Sequence, residues 1–169
     1  MIKKLDFPVL HKKPSLRKQN HEGSCGPNCM RHIIFYYTGL NIPEESLIKI
    51  GNTSKKSGTS LEGMIKIANK FNLSYESKYN SSISELINSI RNENLAVLSI
   101  QAWPNRKIRN GNWKNTLEFG HYVAAYGYNN LIGKLYYYDS FDGIHKDFSY
   151  KKLEEVWHDD EEHFGIFFK

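Results

Sequence analysis

Hydrophobic positions recur at helical spacing through the first half of the chain and alternate through the second. Cys25, Cys29, His32, Ile33 and Tyr36 fall on one stripe of a helix expected over residues 24–38. Ser24 is its N-cap, Pro27 lies in its first turn and Gly39 stops it. A short helix is expected over 43–50, ending at Gly51. A third begins near Thr59, where Thr59 and Glu62 form a capping box, and Leu61, Met64, Ile65, Ala68 and Phe71 make its apolar face. A fourth, about 84–92, carries Leu86, Ile87 and Ile90. Strands are expected at 95–101, 119–128, 135–140, 145–150 and 164–168, with a short helix at 150–157. Helices first and antiparallel strands afterwards define an α+β protein, its helical half packed on a C-terminal antiparallel sheet.

The length of 169 residues matches one domain spanning residues 1–169 and is long enough to bury a core. A hydrophobic content of 40% with eleven Tyr and nine Phe excludes a disordered chain. The net charge of +5 gathers at Lys3, Lys4, Lys12, Lys13, Arg17 and Lys18, and again at Arg106, Lys107 and Arg109. No DNA- or RNA-recognition motif accompanies it, so a solvated face is expected and no nucleic-acid partner. The apolar stretch 5–10 holds Asp6 and Pro8 and is too short for a signal core, and nothing approaches a membrane span. Two cysteines cannot make a disulfide framework. A reduced, cytoplasmic protein with no membrane partner is expected.

Cys25 stands where a helix starts, where unpaired N–H groups and the helix dipole favour a thiolate. A lone cysteine is more often a small buried hydrophobe, and a second feature is needed to read it as a nucleophile. His121 and Asp139 supply one. If the hairpin between their strands is centred on Asn130, the two are directly opposed on one face of an antiparallel pair. Asp139 then accepts from one imidazole nitrogen while the other faces a nucleophile. Alternation puts His121, Val123 and Ala125 on one face and Tyr122, Ala124 and Tyr126 on the other.

The segment from Gln19 through His21, Gly23, Cys25, Gly26 and Cys29, followed by Tyr36, Tyr37 and Gly39, resembles the nucleophile region of cysteine peptidase family thirty-nine. These are papain-like peptidases best known for trimming bacteriocin leader peptides after a double glycine. The match continues through Gly58–Leu61, Gly120–Val123, Asp139 and Trp157, in order, over roughly residues 15–160. The resemblance implies a papain-like fold and a triad of Cys25 as nucleophile, His121 as general base and Asp139 as the residue orienting it. Gln19, six residues before Cys25, is implied as the side-chain donor of the oxyanion hole. No cofactor or metal is implied, and the partner is a peptide or protein substrate. Ser140 and Asn28 depart from the pattern, which usually has proline and a small apolar residue there. Cys29 is expected to pack in the core.

The long polar stretch 103–118 runs into His121, and such loops are often functional. Trp103 and Trp113, with Gly120, are the expected substrate contacts. Other readings stay open on the same residues: acyl transfer to an amine or small peptide, a non-catalytic peptide-binding module, or a zinc site from His21, Cys25, Cys29 and His32. His11, His145, His158 and His163 are expected at the surface.

Overall fold

The computed structural model describes residues 1–4, 18–102, 119–158 and 163–169. Its elements are β1 (Ile2–Lys4), α1 (Cys25–Thr38), α2 (Glu44–Ile50), α3 (Leu61–Lys70), β2 (Tyr75–Lys78), α4 (Ile83–Arg91), β3 (Ala96–Gln101), β4 (Gly120–Asn129), β5 (Lys134–Asp139), β6 (Ile144–Ser149), α5 (Tyr150–Val156) and β7 (Gly165–Phe168). The α+β architecture expected from the sequence is the one observed. All pairings are antiparallel, in the order β2-β7-β3-β4-β5-β6, with β1 added to β4 beyond the end of β3.

Local chemistry accounts for most element ends. Gly39 takes φ 71°, a left-handed C-cap that most side chains resist, and its N–H closes on the Phe35 carbonyl. The α3 cap is Ser60 rather than the expected Thr59. Ser60 Oγ accepts from the Gly63 N–H, while the Thr59 hydroxyl meets Thr53 Oγ1 at 2.7 Å. A full capping box forms instead at α4, where Ser82 and Glu85 exchange bonds. The short strands β1 and β2 were not expected. Each is polar and lacks a clear alternation, and it is partner strands far along the chain that make them strands.

α1 packs on β4, α4 on β1, β3 and β4, and α5 on β5 and β6. Ile33, Met64, Ile67, Leu86, Leu98, Val123 and Trp157 share one continuous core. α1 itself is buried from Cys25 to Ile34, polar residues included. Two histidines expected at the surface are packed. His158 is buried, and His163 stacks on the Trp157 indole with Nδ1 3.0 Å from the Ser81 carbonyl. His145 is exposed, as expected, and His11 lies outside the described residues.

The β4–β5 hairpin differs from the expected one. Its last pair is Asn129 with Lys134, so the turn is centred past Leu131 rather than on Asn130. Tyr126 is then an extra residue, a bulge between Ala125 and Gly127. Asp139 therefore stands opposite Val123, not opposite His121.

Candidate active site

Cys25 opens α1, and the site grows from that position. The Ser24 hydroxyl does not cap the helix; it lies 2.6 Å from both the His21 carbonyl and Glu44 Oε1. No carboxylate occupies the first turn, so the positive end of the helix dipole is left for the Cys25 sulfur. Gly26 follows because α1 starts in close contact with α3 and β4. A Cβ there would sit 2.6 Å from Met64 Sδ and 3.2 Å from the Tyr122 ring. Gly23, at φ +76°, lets the approach loop press its α-carbon against the Ser54 carbonyl.

His121 and Asp139 meet on the face of the sheet that α1 covers. Being diagonal rather than opposed, they still lie within reach, and His121 Nε2 is 2.8 Å from Asp139 Oδ1. The imidazole also hydrogen-bonds the Cys25 thiol. Asp139 Oδ1 accepts in addition from the Phe141 N–H at 3.0 Å. Its Oδ2 accepts from Lys146 Nζ at 2.7 Å, and Lys146 also pairs with Asp142. His121 and Asp139 are both buried, whereas Lys146 is partly exposed.

The electrostatics follow from these contacts. Burial by itself would push the Cys25 thiol up. The hydrogen bond and charge of His121, then backbone contacts with Tyr122 and Gly26, bring it below its ordinary value. Burial likewise opposes a charged His121, but bonds to Asp139 and Cys25 raise it to about 10. Burial disfavours the Asp139 charge too, yet His121 and then Lys146 hold the carboxyl well below the usual carboxylate range. The combination favours a thiolate beside an imidazolium. Cys29, one turn along, is the contrast. It is fully buried, its thiol donates to the Tyr122 carbonyl at 3.3 Å, and burial and the neighbouring Cys25 push it well up. Both cysteines are free.

Gln19 is held beside this group rather than inside it. Its N–H donates to the Ser140 carbonyl at 2.7 Å, and the Ser140 hydroxyl donates to Gln19 Oε1 at 3.4 Å. One N–H of its amide donates to the His21 carbonyl at 3.1 Å, leaving the second. Ser140, where the resembled family usually has proline, thus supplies two contacts to the residue implied as oxyanion donor. Gly120 lines a cleft of about 870 Å³ together with Gly23, Cys25, Gly58, His121 and Phe164. Trp103 and Trp113 lie outside the described residues.

The four residues of the zinc reading do not converge. His21 Nε2 faces Glu45, Cys29 bonds the Tyr122 carbonyl and His32 packs on the Tyr138 ring. Among the described residues, no group of three His, Cys, Asp or Glu side chains could hold a metal ion. Nor is any described helix long and apolar enough to cross a membrane. Two residues that sequence reasoning missed stand out, Lys146 and Glu44. Lys146 is legible afterwards: Asp139 pairs with Ile144 across a turn closed by Gly143, and two residues further on the same face is Lys146. Glu44 has no local signal, because its partners lie on the approach loop and on α1.

The arrangement has the fold of C39 peptidase domains. The peptidase domain of Streptococcus ComA, a bifunctional ABC transporter involved in quorum sensing, superposes with a TM-score of 0.65 at 19% identity, over 89% of this chain and 94% of its own. A double glycine motif protease from an AMS/PCAT transporter, in complex with a leader peptide, gives 0.68 at 14% identity, over 98% of this chain and 93% of its own. A chain from Bacillus anthracis described as C39-like gives 0.69 at 14% identity, over 97% and 94%. The chain belongs to the peptidase C39 family, whose model matches residues 13–159. No curated protein matches it.

Proposed function

We propose that this protein is a cysteine peptidase that cleaves peptide bonds through a thioester on Cys25. The observation that carries the reading is His121, which bonds the Cys25 thiol and Asp139 at once while the thiol is held low and the imidazole high. Cys25 Sγ attacks the scissile carbonyl carbon. The Cys25 N–H at the start of α1 and the remaining N–H of the Gln19 amide take the oxyanion. His121 gives its proton to the departing amine, the C–N bond breaks, and the acyl group stays on sulfur. Water then attacks the thioester, passing a proton to His121, and the acid leaves as the thiolate re-forms. Asp139 keeps the ring turned and stabilises its charge.

A peptide is the substrate the cleft suits, being open and lined by polar residues such as Asn52, Ser57, Ser60 and Ser99. One solved relative is a double glycine motif protease bound to a leader peptide, so a peptide containing Gly-Gly is the first to try. Incubation with a diverse peptide library, with cleavage sites read by mass spectrometry, tests the proposal. Cleavage by the wild type that disappears in Cys25→Ala is expected. Equal cleavage by Cys25→Ala would falsify it.

A further inference from the structure

Glu44 is a carboxyl group buried to 1% exposure at the first turn of α2, and nothing in the chemistry above uses it. Its partners are all on the segment that carries the nucleophile. The Asn20 N–H lies 3.1 Å from Oε1 and 3.2 Å from Oε2, Asn20 Nδ2 is 3.2 Å from Oε2, and the Ser24 hydroxyl is 2.6 Å from Oε1. Asn28 Nδ2 adds a longer contact at 3.4 Å, and Asn28 Oδ1 accepts from the Tyr138 hydroxyl at 3.2 Å. The unusual Asn28 is explained by this pairing: a small apolar residue there would leave Glu44 and Tyr138 without their common partner.

What Glu44 holds is the important point. Asn20 adjoins Gln19, and Ser24 adjoins Cys25. The two groups proposed to take the oxyanion, the Gln19 amide and the Cys25 N–H, are thus each one residue from an atom bound to the same carboxyl. The loop between them is also drawn inward on the His21 carbonyl, which accepts from both Gln19 Nε2 and Ser24 Oγ. From the sheet side, Ser140 fixes Gln19 again. A buried polar group with several partners in low dielectric is rigid, and its loss leaves those partners unpaired.

We propose that Glu44 is a positioning residue of the oxyanion hole, setting the separation of the Gln19 amide and the Cys25 N–H. Its hydrogen bonds described above go to Asn20, Ser24 and Asn28 rather than to the His121–Asp139 pair, so the thiolate and the hole become separable. The inference rests on the peptidase reading, and its test separates the thiolate from the oxyanion hole.

That test compares wild type, Glu44→Gln and Ser24→Ala in two reactions. Alkylation of Cys25 by iodoacetamide needs the thiolate but no oxyanion hole. Reversible inhibition by a short peptide aldehyde ending in Gly-glycinal needs both. There Cys25 Sγ adds to the aldehyde carbon, and the former carbonyl oxygen takes the His121 proton and sits where the oxyanion would. Glu44→Gln is expected to weaken aldehyde binding by about 10- to 100-fold, the scale of one misplaced oxyanion donor. Its alkylation rate and the pH midpoint of alkylation stay within about two-fold of wild type, since the Cys25–His121 pair is untouched. Ser24→Ala gives a smaller loss of the same kind, and carries the test if Glu44→Gln does not fold. Equal aldehyde affinity in wild type and variant overturns the inference alone. A parallel fall in both reactions also overturns it, showing Glu44 to be structural only. A wild type that is alkylated at Cys25 yet binds neither this aldehyde nor any of a panel varied in its last two residues overturns the peptidase reading, and the inference with it.

Discussion

Asp139 pairs across the sheet with Val123, and its carboxylate nevertheless lies 2.8 Å from His121 Nε2, two residues away on β4. The bulge at Tyr126 makes this contact possible. Extending the register of Asn129 with Lys134 and Gly127 with Tyr136 without a bulge would set Asp139 opposite Ala124, on the face away from His121. One extra residue restores the shared face. Inserting one alanine between Ala125 and Tyr126, with the bulge still holding a single residue, is therefore expected to set Asp139 opposite Ala124, separate the two groups and cut peptide cleavage by about 100-fold or more, the scale of a lost acid–base partner. Tyr126→Ala keeps the residue count and retains most activity. Initial rates of the two variants, each checked for fold by circular dichroism, decide the point.

On the mechanism proposed above, the alkaline side of the activity profile belongs to His121. The active pair has a protonated imidazole, and because its value is raised to about 10, activity falls only as pH rises through that region. Asp139→Asn removes the carboxylate that stabilises the imidazolium, so the ring loses its proton earlier and the alkaline limb moves to lower pH. A kcat/KM profile of both proteins checks the direction; an unmoved limb would mean that Asp139 does not support the charge.

Lys146 holds the outer oxygen of Asp139. The bond is charge-assisted but partly exposed, so its worth is discounted to about 1 kcal/mol. Lys146→Met is expected to lower kcat roughly five-fold with little change in KM, and Lys146→Arg to keep most of the rate. Equal rates in Lys146→Met and wild type would reduce the lysine to a surface charge.

The two cysteines are expected to react differently. Iodoacetamide near neutral pH labels Cys25, whose thiol is lowered, and spares Cys29, which is buried and raised. Peptide mapping after limited alkylation reads the ratio directly. Cys29→Ala preserves activity and costs about 1–2 kcal/mol of stability, from a small cavity beneath β4.

Gly26→Ala places a methyl group against Met64 and the Tyr122 ring. Overpacking of this kind costs about 1–3 kcal/mol and shifts the start of α1, and with it Cys25. Shortening Met64 in the same chain, as Gly26→Ala with Met64→Ala, should recover part of the lost activity though not all of the stability. Thermal melts and initial rates on the single and double variants test the coupling.

The sequence by itself determined the five helices and the strands from β3 to β7, because helix ends, period-two strands and turn residues are local. Gly39, the apolar face of α3 and the strand containing His121 were all legible this way. It also pointed to Cys25 at a helix start and to His121 and Asp139 on neighbouring strands as candidates, and the fold brings these three together. Counting failed at Tyr126, because a bulge depends on how two strands fit and leaves no mark in one of them. The polar edge strands β1 and β2, the burial of His158, and the reach of Lys146 and Glu44 toward the site were likewise decided by segments distant in the chain. Tertiary packing chose those partners, since a buried carboxyl or an edge strand is stable only where the rest of the fold supplies its hydrogen bonds.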